Sequence, residues 1–181
     1  MTKIKMHVTV DEKNALDAYQ DTTHDTAVYP RTHALGYLSL GLLAEANEFV
    51  QAEDALRAFD ELGDIMWFVS ELANLESLRL SELVVTSTYL PPIASDVDGA
   101  GYIVSFLAEA SGAMAKHLRD GTRYRNELAD LLAKTTLTAM SIVDILSSST
   151  EKSFIDLLQE NRNKLLSRQS RGKLRGSGDH R

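Results

Sequence analysis

Apolar residues recur at intervals of three and four along most of this chain, the spacing that lines side chains up on one face of a helix. Leu38, Leu42, Glu45 and Phe49 share one such face, and Glu61, Ile65, Phe68 and Leu72 share another. The periodicity and its punctuation predict six helices. The first spans roughly 10–21 and opens on a capping box of Thr9 and Glu12. Pro30 breaks the segment that follows. Helices over roughly 32–50 and 54–79 are joined by the turn "QAED". "YLPPIASDVDG" divides the chain near residue 90. Helices over roughly 97–119, 122–147 and 150–167 come after it, the last capped by "SSST". Residues 3–10 read as an extended arm.

The expected architecture is all-α: a bundle of five to six helices with short connections. One domain over 1–167 holds two halves, about 10–80 and 95–149, and 168–181 form a basic tail. The halves resemble each other weakly. "LAEA" at 43–46 recurs at 107–110, and "ELGD" at 61–64 recurs as "ELAD" at 127–130, offsets of 64 and 66. If the repeat is a degenerate duplication, Gly112 stands where Glu48 stood, and Glu109, Glu127 and Asp130 are remnants of a second site or structural.

Composition narrows the function classes. The 181 residues are 44% hydrophobic and 25% charged, ordinary for a globular protein, with a net charge of -7 that argues against general nucleic-acid binding. No stretch of about 18 apolar residues suggests a membrane span. The N-terminus lacks the apolar core of a signal peptide, so a cytoplasmic location is expected. With no cysteine, neither disulfides nor thiolate metal sites are available.

The acids carry the chemistry. Glu45 and Glu48 lie three apart on one helix, and Glu61 and Asp64 three apart on the next. A short turn makes these helices antiparallel neighbours, so the four carboxylates can meet against the apolar seam. Residues 34–80 contain nine acids and only two bases, Arg57 and Arg79. Ionised carboxylates placed so are costly unless paired or coordinated. Gly63, in the middle of that helix, suggests close helix approach. Oxygen-only ligands favour a hard cation, Mg²⁺ or Mn²⁺, and Mg²⁺ held by carboxylates keeps positions open for water and phosphates.

E-x-x-E, twelve residues, then E-x-x-D resembles the signature of the all-α nucleoside triphosphate pyrophosphohydrolases, a group that includes MazG-like proteins, dimeric dUTPases and phosphoribosyl-ATP pyrophosphohydrolase. "ELGDIMWFVSELA" is similar to the MazG form. "YQDTTHDTAVYP" resembles the MazG-like entry segment, and "ENRNKLLSRQSRGKLRGSGDHR" the C-terminal one. The chain departs from the pattern between its acid pairs, where "VQAEDALRAF" lacks the usual lysines. A similar basic segment, "AKHLRDGTRYR", appears instead in the second half.

The resemblance implies hydrolysis of a nucleoside triphosphate, NTP or dNTP, to the monophosphate and pyrophosphate by water attack at the α-phosphate. A dUTPase-like or otherwise specialised nucleotide hydrolase is the alternative within the same class. A non-catalytic helical nucleotide-binding adaptor is the alternative outside it. Glu45, Glu48, Glu61 and Asp64 are the expected ligands of two or more Mg²⁺ ions, with Glu48 as general base. Residues 162–181 hold seven bases against Asp179, and the tail reads as a lid over the triphosphate or as a plain basic tail. Lys164, Arg168 and Arg171, with Lys116 and Arg119, are the candidate phosphate contacts. Tyr29 reads either as a base-stacking ring or as a core-edge tyrosine. Trp67 reads as core and His33 as a helix-start residue. The family also implies a homodimer or homotetramer.

Overall fold

The computed structural model describes residues 7–86, 93–121 and 124–174, and among them the chain is all-helical. Seven α-helices follow in order: α1 (Val10–Thr23), α2 (Ala34–Val50), α3 (Ala55–Leu75), α4 (Leu80–Thr86), α5 (Asp96–Asp120), α6 (Arg125–Thr150) and α7 (Phe154–Ser170). Short 3-10 turns at His24–Thr26 and Arg31–His33 join α1 to α2. Residues 3–6 of the expected arm lie outside the described residues; Thr9 caps α1 through the capping box with Glu12, and Val10 is already helical.

Local chemistry explains most boundaries. Asp54 N-caps α3 by accepting from the Arg57 N–H at 2.8 Å. The third helix is shorter than its periodicity suggests. It stops at Leu75 because Ser77 takes a left-handed conformation, φ 53°, and the Leu78 N–H turns back to the Ala73 carbonyl at 2.8 Å. No glycine announces this stop. Instead Gln20 clamps the turn, donating to the Leu78 carbonyl at 2.7 Å and accepting from the Leu80 N–H at 3.0 Å. Arg125 donates to the carbonyls of Glu76 and Ser77, both at 3.1 Å. The result is α4, which the sequence pattern merged into its predecessor. The "SSST" stretch is likewise not the last helix's cap. It forms the end of α6, and Ser153 caps α7 in a capping box with Asp156. Gly172, φ 66°, closes α7: its N–H bonds the Gln169 carbonyl and the Lys173 N–H the Arg168 carbonyl, a Schellman arrangement.

The core is one continuous cluster built from all seven helices. α3 lies at its centre, buried on nearly all sides from Ala58 to Ala73, and packs on α1, α2, α6 and α7. Its burial explains the near-unbroken apolar run Ile65–Val69. α6 is long and apolar enough to cross a membrane by length and composition alone, but 67% of its apolar window is buried inside the protein, which accounts for that hydropathy. The hairpins α2–α3 and α5–α6 stack with α2 on α5 and α3 on α6, the pairing a duplicated hairpin would produce. Tyr124 at the head of α6 donates to Glu76 at the foot of α3, 2.8 Å, so these two helices run antiparallel.

Candidate metal centre

Three of the four expected acids converge. Glu45 from α2 and Glu61 and Asp64 from α3 each offer a carboxylate oxygen, and these atoms lie within 4.8 Å of one another. The turn 51–54 makes α2 and α3 neighbours, and three-residue spacing on α3 puts Glu61 and Asp64 on the flank facing α2. Glu48 is not part of the group. Its side chain is 52% exposed at the rim, 3.7 Å from Arg57 Nη2. One turn further along α2 than Glu45, it has passed beyond the buried seam.

The cluster is electrostatically strained. Burial, followed by the charges of Asp64, Glu48 and Glu61, pushes the Glu45 carboxyl up to about 8. Burial also raises Glu61, against the opposing pull of Arg57. Glu61 is 1% exposed. Its Oε1 touches Arg57 Nη2 in an ion pair, but the contact lacks hydrogen-bond geometry and that oxygen has no other partner.

Asp64 is held by α7. Asn161 Nδ2 donates to Asp64 Oδ1 at 2.6 Å, and Lys164 Nζ to Oδ2 at 2.8 Å and to Asp60 Oδ1 at 3.0 Å. Behind Asn161, the buried Tyr19 hydroxyl donates to its Oδ1 at 2.6 Å. Gly63 makes this docking feasible: a Cβ there would sit 3.0 Å from Asn161 Cβ. The close approach expected of this glycine is therefore real, and the partner is α7.

The acids are thus not without counterions, contrary to the expectation from residues 34–80 alone. Arg57 serves Glu61 and Glu48, and Lys164 arrives from a hundred residues away. Among the described residues, Arg57 and Lys164 are the cations in ion pairs with Glu48, Asp60, Glu61 and Asp64. An all-oxygen set with one orphaned buried oxygen and a carboxyl forced to hold its proton near neutrality suits a hard divalent cation. Glu45, Glu61 and Asp64 are the residues that would hold it.

Of the expected phosphate contacts, Lys164 is beside the acids. Arg168 lies one turn further along α7. Arg171 follows the helix end and donates to the Ser167 carbonyl at 3.1 Å. The tail residues 175–181 lie outside the described residues, and Gly172 is spent on the helix stop. Lys116 and Arg119 stand exposed on α5, which packs on α2 and α6, and Arg119 pairs with Asp120. In the second half Glu109 and Glu127 are exposed and Asp130 pairs with Lys134 at 2.6 Å, so no second acid group forms among the described residues.

The aromatic residues form a chain leading away from the acids. Tyr29 stacks on Tyr37 with centroids 4.9 Å apart, Tyr37 reaches Phe68 at 6.0 Å, and Phe68 meets Trp67 edge-on at 4.9 Å. Trp67 is core, as expected, with its Nε1 donating to Thr26 at 2.9 Å. The half-exposed Tyr37 lies close enough to Glu45 that the carboxylate's charge, after burial, raises its hydroxyl pKa.

Sequence reasoning passed over Glu71. It is 1% exposed and accepts from Thr23 at 2.7 Å, Tyr29 at 2.6 Å and Asn74 at 3.0 Å. The signal was its place on α3, seven residues after Asp64 and on the same face.

No protein-family model matches the chain, and no solved structure matches it. The chain is similar to the Gene 37 protein of Mycobacterium phage L5, 34% identical over 103 residues, an alignment that takes in 46% of this chain and 89% of that protein. At that identity and coverage, the chain belongs to the family of this phage protein.

Proposed function

We propose that the protein hydrolyses a nucleoside triphosphate to the monophosphate and pyrophosphate at the carboxylate cluster between α2 and α3. The observation that carries the reading is the convergence of Glu45, Glu61 and Asp64 oxygens within 4.8 Å on a buried seam. The resemblance of the acid signature to MazG-like pyrophosphohydrolases supports it, and Mg²⁺, or Mn²⁺, is the expected cofactor. Bound there, such ions supply charge neutralisation of the triphosphate and polarisation of the attacked phosphorus. Asn161 and Lys164 fix the orientation of Asp64. Lys164 and Arg57, now paired with the acids, are the cations that would donate to phosphate oxygens. Glu48, outside the cluster and exposed, is the carboxylate left to take a proton from water. Tyr37 and Tyr29 offer a ring surface beside the cluster.

One observation favours a second reading, a non-catalytic helical adaptor: Arg57 and Lys164 already neutralise part of the cluster from within. Pyrophosphate release from a panel of canonical and modified (d)NTPs with Mg²⁺ separates the two. Turnover that vanishes in Glu61→Gln supports the enzyme. No release from any nucleotide leaves the adaptor.

A further inference from the structure

α7 delivers two donors to one carboxylate. Asn161 and Lys164 are three residues apart and so share one face of that helix. They take the two oxygens of Asp64 separately: the amide holds Oδ1 at 2.6 Å and the ammonium Oδ2 at 2.8 Å. Whichever of these oxygens a metal ion took, it would already carry a donor from α7. The two donors differ in what they would do to such an ion. A neutral amide orients the carboxylate and adds no net charge. An ammonium brings a full positive charge, and its influence reaches past Asp64. At Glu45, where burial and three neighbouring acids raise the carboxyl, Lys164 is the group that pulls it down.

Lys164 also has a second place to stand. Its Nζ lies 3.0 Å from Asp60 Oδ1. Asp60 and Asp64 are one turn apart on α3, and only Asp64 belongs to the converging group. The Asp64 side chain is 15% exposed and that of Asp60 42%, so the two acids run from the buried seam out towards solvent. Arg57 has a weaker hold on the cluster. Its ion pair with Glu61 lacks hydrogen-bond geometry, and the buried Glu61 Oε1 is left without a hydrogen-bond donor. That orphaned oxygen marks where the cluster is incomplete.

We propose that Lys164 is an internal counterion that yields its place on Asp64 to a divalent cation. In the metal-free chain its ammonium sits in the cluster; when the centre fills, it withdraws to Asp60, its outer partner, while Asn161 keeps Asp64 in position. This exchange rests on the cluster being the metal centre proposed above, and it needs no nucleotide. Charge decides its direction. A monovalent ion would replace one unit of positive charge by another and lose the hydrogen bond the ammonium makes to Asp64. A dication doubles the charge and offers the orphaned Glu61 oxygen a partner, and the repelled ammonium keeps its ion pair with Asp60. Lys164 therefore sets a threshold. It ties α7 to α3 while divalent cation is scarce, and it raises the concentration needed to fill the centre.

The test is metal affinity without nucleotide, read by calorimetric titration of Mn²⁺ into the full chain at fixed pH and salt. Lys164→Met keeps an apolar stem and removes the charge. It should bind Mn²⁺ about tenfold or more tightly than wild type, the size of the repulsion between an ammonium and a dication a few ångströms apart even in a water-like dielectric. Arg162→Met makes the same change of charge at an exposed position two residues away, on the opposite side of α7, and should stay within about twofold. In the wild type, where folding is not in question, trace acetylation with peptide mass mapping should modify Lys164 several times faster in Mn²⁺ than in EDTA, while Lys152, paired with Glu160, keeps its rate. A Lys164→Met protein that binds Mn²⁺ no more tightly than wild type would mean that the lysine only orients Asp64. Equal acetylation rates would mean that it never leaves. Either result overturns the proposal, and so does a wild type and variant that both fail to bind Mn²⁺, which removes the metal centre as well. Tighter binding by the variant with no pyrophosphate release from any nucleotide would uphold the counterion role and refute the pyrophosphohydrolase reading alone.

Discussion

Asn161→Ala isolates the link between α7 and the acid cluster. Alanine keeps the Cβ that packs on Gly63, so only the amide is lost. Two groups then lose partners. Asp64 Oδ1 loses a 2.6 Å bond to a charged acceptor, worth roughly 1.5–3 kcal/mol. The Tyr19 hydroxyl, buried and 2.6 Å from Asn161 Oδ1, keeps only a contact with the Gly63 carbonyl at 3.5 Å. An unsatisfied buried donor costs about 1–3 kcal/mol. Lys164 continues to hold the other Asp64 oxygen, so the sum is roughly 2.5–6 kcal/mol, or about 5–20 °C in Tm for a chain of this size. Tyr19→Phe removes the stranded donor, and adding it to Asn161→Ala should therefore cost less than the two single changes together, by about 1–2 kcal/mol. Urea unfolding of the four proteins measures the cycle. An Asn161→Ala within about 0.5 kcal/mol of wild type, the range of neutral surface changes, would mean that the relay does not hold Asp64, and strictly additive costs would mean that Tyr19 and Asn161 act separately.

Two further outcomes bear on the cluster. Mn²⁺ or Mg²⁺ at about a hundred times its dissociation constant should stabilise the protein by about 2.7 kcal/mol, or roughly 5–10 °C, and Glu61→Gln should abolish the shift; thermal scans with and without EDTA would detect a failure of either. In the metal-free protein Glu45, raised to about 8 from an ordinary value near 4.5, binds its proton more tightly folded than unfolded, so stability should fall as pH rises from about 4.5 to about 8. Glu45→Gln should flatten that decline in EDTA, and an unaltered pH profile would show that the carboxyl is not strained.

Legibility in the sequence followed the range of the interactions. Boundaries set by neighbouring residues were readable: Thr9 with Glu12, Asp54 before α3, Pro30 before α2. The stop at Ser77 was not, because it is imposed from α1 by Gln20 and from α6 by Arg125. The same division runs through the site. Glu45, Glu61 and Asp64 could be assembled from spacing and one short turn, whereas Glu48 depended on how far α2 had rotated out of the seam. The partners of the acids were misjudged because the count stopped at residue 80 and Lys164 comes from α7. Glu71 was overlooked because three neutral donors, two of them outside α3, satisfy it, and no charge pattern reveals that.

The placement of the acids explains why they are held so firmly. α3 is the most buried helix of the bundle, and a carboxylate on it cannot relax toward solvent without disturbing four neighbouring helices. Glu61 and Asp64 are therefore locked in position by packing, and Glu45 is brought to them by Gly41, which lets the Phe68 ring lie directly against α2. Rigidity of this kind keeps like charges together at a cost in stability that exposed acids would avoid. Hydrophobic residues of similar volume at positions 45, 61 and 64 should consequently give a more stable protein. If substituting Glu45 and Glu61 together with leucine and methionine destabilises the fold, the cluster is structural cement and the strain attributed to it is absent.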